Sequence, residues 1–239
     1  MIAARLPLLS LASVAALLAA PAVAQRMESE TGSHIPQAKS ASIPQPGTMS
    51  DQTRARATAV EFGECVVGRF RAKAIAAVKP FPNSPEEARA LHGVAEPECL
   101  NGGRLKMAGP VMRGAIDIAL YRHAFGNAAP AMIAQAPDFS EGAGQPSGTA
   151  AEQAVALRQF GDCVARRNPA NTCAVVLAPV GSAAENAGYA ALAAQFNACV
   201  PQGANLTFTK ALLGGLFAEI LYREAASAAP VVTAEKNNA

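Results

Sequence analysis

The groups with chemistry to offer in this chain are five cysteines, three histidines and a set of acidic and basic residues that recur at matching places. The cysteines sit in a pattern. Phe62-Gly63-Glu64-Cys65-Val66 reappears as Phe160-Gly161-Asp162-Cys163-Val164, and Cys99 answers to Cys199. An even set of four cysteines at repeated places reads as a disulfide framework. Pairing inside each copy, Cys65 with Cys99 and Cys163 with Cys199, gives each copy its own bond and is the favoured arrangement. Pairing across copies, Cys65 with Cys163 and Cys99 with Cys199, is equally symmetric, and spacing alone does not fix connectivity. Closing a loop of this size contributes about 3–4 kcal/mol by chain entropy. That is large beside a net stability of ~5–15 kcal/mol, so these bonds read as structural staples. No C-x-x-C spacing points to an oxidoreductase. Cys173 is left over. It is either a reactive thiol or, as its match to Ile75 favours, a small buried apolar residue.

The histidines are His34, His92 and His123. None lies four residues from another or in a tight Cys/His cluster, so the sequence offers no zinc set. There is no G-x-S-x-G nucleophile turn, no phosphate-binding P-loop and no H-E-x-x-H. The glycine-rich stretch Gly142 to Gly148 misses the dinucleotide pattern and reads as a linker. No cofactor is expected. Three charged matches remain: Glu64 with Asp162, Arg69 with Arg167, and Arg122 with Arg223. They mark either a pair of equivalent polar sites, or one site between copies, or ion pairs tying the first helix of each copy to its fourth. The last reading is preferred. Tyr121 and Tyr222 read as core-edge residues, ring inside and hydroxyl near water.

The elements that must position these groups come in two sets. The match runs at an offset of 98 through Ser84 with Ser182 and Glu87 with Glu185, then at 101 through Gly114 with Gly215. Both copies close on Leu-Tyr-Arg, at Leu120-Tyr121-Arg122 and Leu221-Tyr222-Arg223. Many ordered matches with small gaps indicate a tandem duplication. Each copy reads as four helices. The first spans about 53–70 and 150–167, with apolar residues at helical spacing, and Thr149 with Glu152 as a capping box. A short second helix covers 71–78 and 169–177, the latter opened by Asn168-Pro169. The third starts at Ser84 and Ser182, each with Glu three residues on, and runs to about Glu98 and Ala198. The fourth spans 110–123 and 210–224, with Thr209 as a cap. Leu105-Lys106-Met107 and Leu206-Thr207-Phe208 alternate and suggest a short extended piece.

Residues 1–24 have the parts of a cleavable secretory signal: Arg5, an apolar run to Ala20, Pro21, then Ala22-Val23-Ala24. The run is too short to span a bilayer comfortably, so membrane contact is expected only through an uncleaved signal, if at all. Residues 25–50 read as a disordered leader, 51–126 as the first copy, 127–148 as a linker, 149–225 as the second copy, and 226–239 as a disordered tail. The formal charge is +2 and no basic stripe stands out, so nucleic acid is not an expected partner. Alanine-rich composition with only 5% aromatic residues favours closely packed helices.

The double Phe-Gly-Glu/Asp-Cys unit, ending in Leu-Tyr-Arg, resembles uncharacterised exported proteins of alphaproteobacteria, over about residues 53–224. The resemblance implies the tandem helical layout and the export signal, and carries over no catalytic or binding residue. The expected molecule is an all-α exported protein of the periplasm or beyond, with two four-helix units and one internal disulfide in each. Its expected role is a non-catalytic binding or structural module of the cell envelope. The alternative is a hydrolase using Ser, Tyr or Cys173 in the cleft between copies.

Overall fold

A computed structural model describes residues 49–100, 106–126, 137–141, 148–200, 202–203, 206 and 208–228, with side chains described to 225. The signal, nearly all of the leader, most of the linker and most of the tail lie outside the described residues. Within them every regular element is helical: α1 (Asp51–Val78), α2 (Pro85–Gly93), a 3₁₀ turn (Pro97–Cys99), α3 (Gly109–Phe125), α4 (Thr149–Arg167), α5 (Pro169–Leu177), α6 (Ala183–Cys199) and α7 (Lys210–Ala228). None of these helices is long and apolar enough to cross a membrane. Lys106 to Ala108, and Leu206 and Phe208, form no strand. Instead Met107, Leu206 and Phe208 pack against the cores as apolar anchors.

Local chemistry sets the boundaries. Ser50, Ser84, Asn168, Ser182 and Thr209 each accept a hydrogen bond from a first-turn N–H with the side chain. The two Ser/Glu boxes depart from the simple form. Ser84 and Ser182 donate their own N–H to Phe81 and Pro179 carbonyls. Glu87 and Glu185 therefore reach one residue further back, to the N–H of Asn83 (2.6 Å) and Gly181 (2.8 Å). Both of those residues have positive φ, 62° and 80°, which points their N–H at the carboxylate. Thr149 is not a cap: Gly148 holds that place at φ 97°, and its carbonyl takes the N–H of Glu152.

The expected break between first and second helices is visible in both halves. Phe70 (φ −131°, ψ 44°) and Asn168 (φ −148°, ψ 66°) leave the helical region at matched positions. Pro169 then opens a separate α5, whereas Arg71 lets α1 resume, so the first half has one kinked helix in place of two. The third helix of the first half ends at Gly93, short of Glu98. Pro97 has no N–H to continue it and forces residue 96 into an extended conformation. Its counterpart α6 lacks proline after Ser182 and runs to Cys199.

Packing gives the recurring Phe-Gly-acid-Cys motif a physical meaning. Phe62 and Phe160 are buried core residues. A Cβ on Gly63 would strike the Ala115 backbone of α3, and one on Gly161 would sit 2.8 Å from Leu216 of α7. The glycines thus let the first helix of each half lie against its last. Cys65 is bonded to Cys99 and Cys163 to Cys199, each pair with Cα atoms 5.6 Å apart. Both staples lie inside one half, and oxidised cysteines fit an oxidising compartment.

The halves meet where α3 crosses α7. A Cβ on Gly114 would lie 2.7 Å from the Cα of Gly215, and one on Gly215 would run into the Gly114 backbone. Tyr121 of the first half is fully buried in the core that holds Phe160, Leu192 and Phe217 of the second. This departs from the expected core-edge place: the Tyr121 hydroxyl meets the Cys173 thiol at 3.4 Å, away from water. Tyr222 is partly buried and packs against both cores. Cys173 is buried as its apolar reading requires, although Ile75, the residue it matches, is 40% exposed.

Gly215→Val should lower stability by about 2–3 kcal/mol, because backbone rather than a flexible side chain blocks the new methyls. Gly93→Ala, where a Cβ meets nothing within 4 Å, should change it by less than about 0.5 kcal/mol. Urea unfolding of both variants checks the pair. Replacing Cys65 and Cys99 together by Ser should cost about 3–4 kcal/mol for a loop spanning 34 residues. Full reduction of the wild type breaks both bonds and should move the urea midpoint further than this one replacement does.

Candidate functional site

The α3–α7 crossing brings together charges that each helix alone could not bury. α3 is apolar almost all round where it carries Arg113 and Asp117, one turn apart. α7 places Glu219 one turn beyond Gly215, within Leu216-Phe217-Ala218-Glu219-Ile220-Leu221. α4 adds Arg158, and α2 adds Glu87. All five are buried. A buried charge must be paired, and four of these are hydrogen-bonded to an opposite charge. Arg158 donates to Glu219 Oε1 from Nη2 (2.6 Å) and Nε (3.0 Å). Arg113 donates to the same oxygen (3.1 Å), to Glu87 (2.7 Å), and to the Val78 (2.6 Å) and Pro80 (3.1 Å) carbonyls at the end of α1. Arg223, less buried, donates to Glu219 at 3.1 Å. The Arg158 guanidinium also lies 5.2 Å from the Phe81 ring centre.

Asp117 is the exception. Its Oδ2 is 3.8 Å from Arg113 Nε, and neither atom has a hydrogen-bond partner in the protein. Burial pushes its carboxyl up to about 8, with Arg113 pulling only part of the way back. Burial also acts to raise Glu219, but Arg113, Arg158 and Arg223 outweigh it and hold that carboxyl near 2. Two carboxyls on facing helices are thus driven apart: Asp117 is protonated at neutral pH and Glu219 is ionised.

This cluster is the common wall of two concavities. A cavity of about 200 Å³ lies between the halves, lined by Arg113, Asp117, Arg158 and Glu219 with Leu157, Leu212 and Leu216. A broader depression of about 750 Å³ opens beside it, sharing those four charged residues and adding Arg223, Tyr222 and the exposed Ile75. The 200 Å³ cavity is lined by carboxyl, guanidinium, amide and aliphatic groups.

The six charged residues singled out by the repeat are not gathered at one place. Arg122 donates to Glu64 (3.2 Å), tying α3 to α1, and to the Val176 (2.9 Å) and Ala178 (3.0 Å) carbonyls at the end of α5. His123 Nε2 lies 2.9 Å from the other Glu64 oxygen. Asp162 is bonded by Arg166, at 2.8 Å, while Arg223 bonds Glu219. Of this set only Arg223 belongs to the charged cluster. Arg69 and Arg167 are exposed on α1 and α4 and line neither concavity. Arg113, Asp117, Arg158 and Glu219 escape repeat-based reading because their matches are Gly214, Ala218, Val60 and Ile118. The signal that could have found them is charge in an otherwise apolar helix, Arg113 and Asp117 at i, i+4 above all.

Asp162 and Glu224 form a second buried acidic contact. They match Glu64 and His123, so an acid–imidazole pair in one half faces an acid–acid pair in the other. Glu224 is fully buried. Burial, then its hydrogen bond to Asp162, raises its carboxyl to about 7. Arg166, 2.9 Å from Glu224, limits the rise. Among the described residues no three His, Cys, Asp or Glu side chains are grouped to hold a metal ion. No known protein family, curated protein sequence or solved structure matches the chain.

Glu224 binds its proton more tightly folded than unfolded. Its contribution to stability is therefore whole below an unfolded value of 4.5 and lost as pH rises through about 7. Asp117 acts in the same direction, from 3.8 up to about 8. Glu219 acts oppositely, losing stability as pH falls from 4.5 towards 2. Thermal melting should show Tm falling between about pH 5 and pH 8, with a shallower fall in Glu224→Gln, whose amide keeps the neutral form. Equal slopes in the two proteins would show that Glu224 does not hold this proton.

Proposed function

We propose that this protein is an exported, non-catalytic binding module of the cell envelope, whose ligand sits in the 200 Å³ cavity between its halves. The observation that carries the reading is the cavity wall: four of its five buried charged side chains come from α3, α4 and α7, on either side of a backbone contact that joins the two halves. Buried charges cost stability unless something requires them, and here they are held rigidly at the edge of a space lined by leucines. A site preorganised on three helices is the arrangement that recognises a small molecule. Touching glycines at matched places, Gly114 and Gly215, support descent of the halves from one duplicated unit. Two disulfides and the sequence of residues 1–24 support export, with the periplasm as the home this reading favours.

A hydrolase is the second reading, favoured by one observation: Asp117 is a protonated acid in a cavity wall. Against it, three guanidiniums neutralise Glu219, which makes that carboxylate a weak base, and Cys173 is buried against Tyr121.

A thermal-shift screen of the intact protein against small envelope metabolites tests the binding reading. Binders should raise Tm, and Leu157→Trp, which fills the cavity from its half-exposed rim, should abolish the rise while remaining folded. Substrate turnover lost in Asp117→Asn would replace binding by catalysis.

A further inference from the structure

We infer that the cavity between the halves takes a short-chain monocarboxylate, its carboxylate held between Arg113 and Asp117 and its alkyl chain against Leu157, Leu212 and Leu216. This deepens the binding reading above and rests on it. The geometry comes first. Arg113 Nε and Asp117 Oδ2 are 3.8 Å apart, their side chains 5% and 3% exposed, and neither atom is hydrogen-bonded within the protein. Every other nitrogen of Arg113 is already committed to a carboxylate or a carbonyl. Both residues line the cavity. Both atoms are closed to water, so an anionic oxygen enters as the two side chains part slightly, and it then accepts from Nε–H on one side and from the Asp117 carboxylic acid on the other. The separation is one that a single carboxylate bridges.

Charge selects the anion over an amine or an alcohol. Three guanidiniums, of Arg113, Arg158 and Arg223, face two carboxylates, of Glu87 and Glu219. With Asp117 protonated the cluster carries one positive charge over, and one monoanion balances it. An ammonium group would add to the excess. A dianion would exceed it.

Shape and polarity select the remainder. Leucines from α4 and α7 form the apolar side of the cavity. A dry apolar cavity of about 150 Å³ accommodates benzene, so 200 Å³ suits a chain of a few methylenes. Of the polar atoms along the wall, Arg113 Nε and Asp117 Oδ2 are the pair left without a partner, so the ligand needs one polar end.

Calorimetric titration of the intact protein with sodium hexanoate, hexan-1-ol and hexylamine tests the inference. Hexanoate should bind saturably, one per chain, and the alcohol and the amine about tenfold or more weaker. Asp117→Leu should weaken hexanoate about tenfold or more, while Asp117→Asn, which keeps a donor, should bind nearly as wild type. Wild-type affinity should fall as Asp117 ionises above about pH 8, and that fall should vanish in Asp117→Asn. Circular dichroism establishes that each variant is folded. No hexanoate binding, equal binding of the amine or the alcohol, undiminished binding in folded Asp117→Leu, or a pH-dependent fall in Asp117→Asn would each overturn the assignment. If hexanoate fails but a screened compound binds and Leu157→Trp blocks it, the cavity keeps its role and the ligand class is wrong. If nothing binds, the binding reading falls with it.

Discussion

Two helices can bring their backbones into contact only where side chains are missing, and Gly114 against Gly215 is such a place. Much else follows from that closeness. Residues beside each glycine or one turn away are carried into the interface whatever their chemistry, and three of them, Arg113, Asp117 and Glu219, are charged. Larger residues at the crossing would push the helices apart, admit water and leave those charges hydrated. The glycine contact therefore creates both the desolvation and the short distances that satisfy it.

Satisfaction is achieved by sharing. One oxygen of Glu219 takes donors from three arginines, and Arg113 spans a carboxylate on α2, another on α7 and two carbonyls at the end of α1. Such a network adds little net stability compared with apolar packing of equal volume, but losing one member is expensive for those left behind. What it supplies here is position: it fixes where α1 ends, how α2 is set and the rotation of α7 about its axis. Arg122 does a similar service on the other side, joining Glu64 to the carbonyls that finish α5.

The helical class, the caps at Ser84, Ser182, Asn168 and Thr209, and the places of the staples were legible in the chain because each depends on residues close in sequence or on a recurring pattern. The exact reach of the Glu87 and Glu185 carboxylates was not, since it depends on a turn that first consumes the serine N–H. The end of α2 is set by Pro97, which the matching stretch of α6 lacks, so the recurring pattern does not report it. The place of Tyr121 depends on a core that belongs to the other half, and no local spacing reports that. The charged cluster is the extreme case. A duplication directs the eye to what is repeated, whereas here the chemistry lies in what is not.

Tyr121 buried among side chains of the second half, and Tyr222 lodged against those of both, leave neither half with a complete interior of its own. The disulfides stitch within each half and never between them. A chain that reads as two modules therefore has interiors that are opened together, because separating the halves exposes both at once. The boundary that the recurring pattern draws in the sequence is thus not a boundary in the packing.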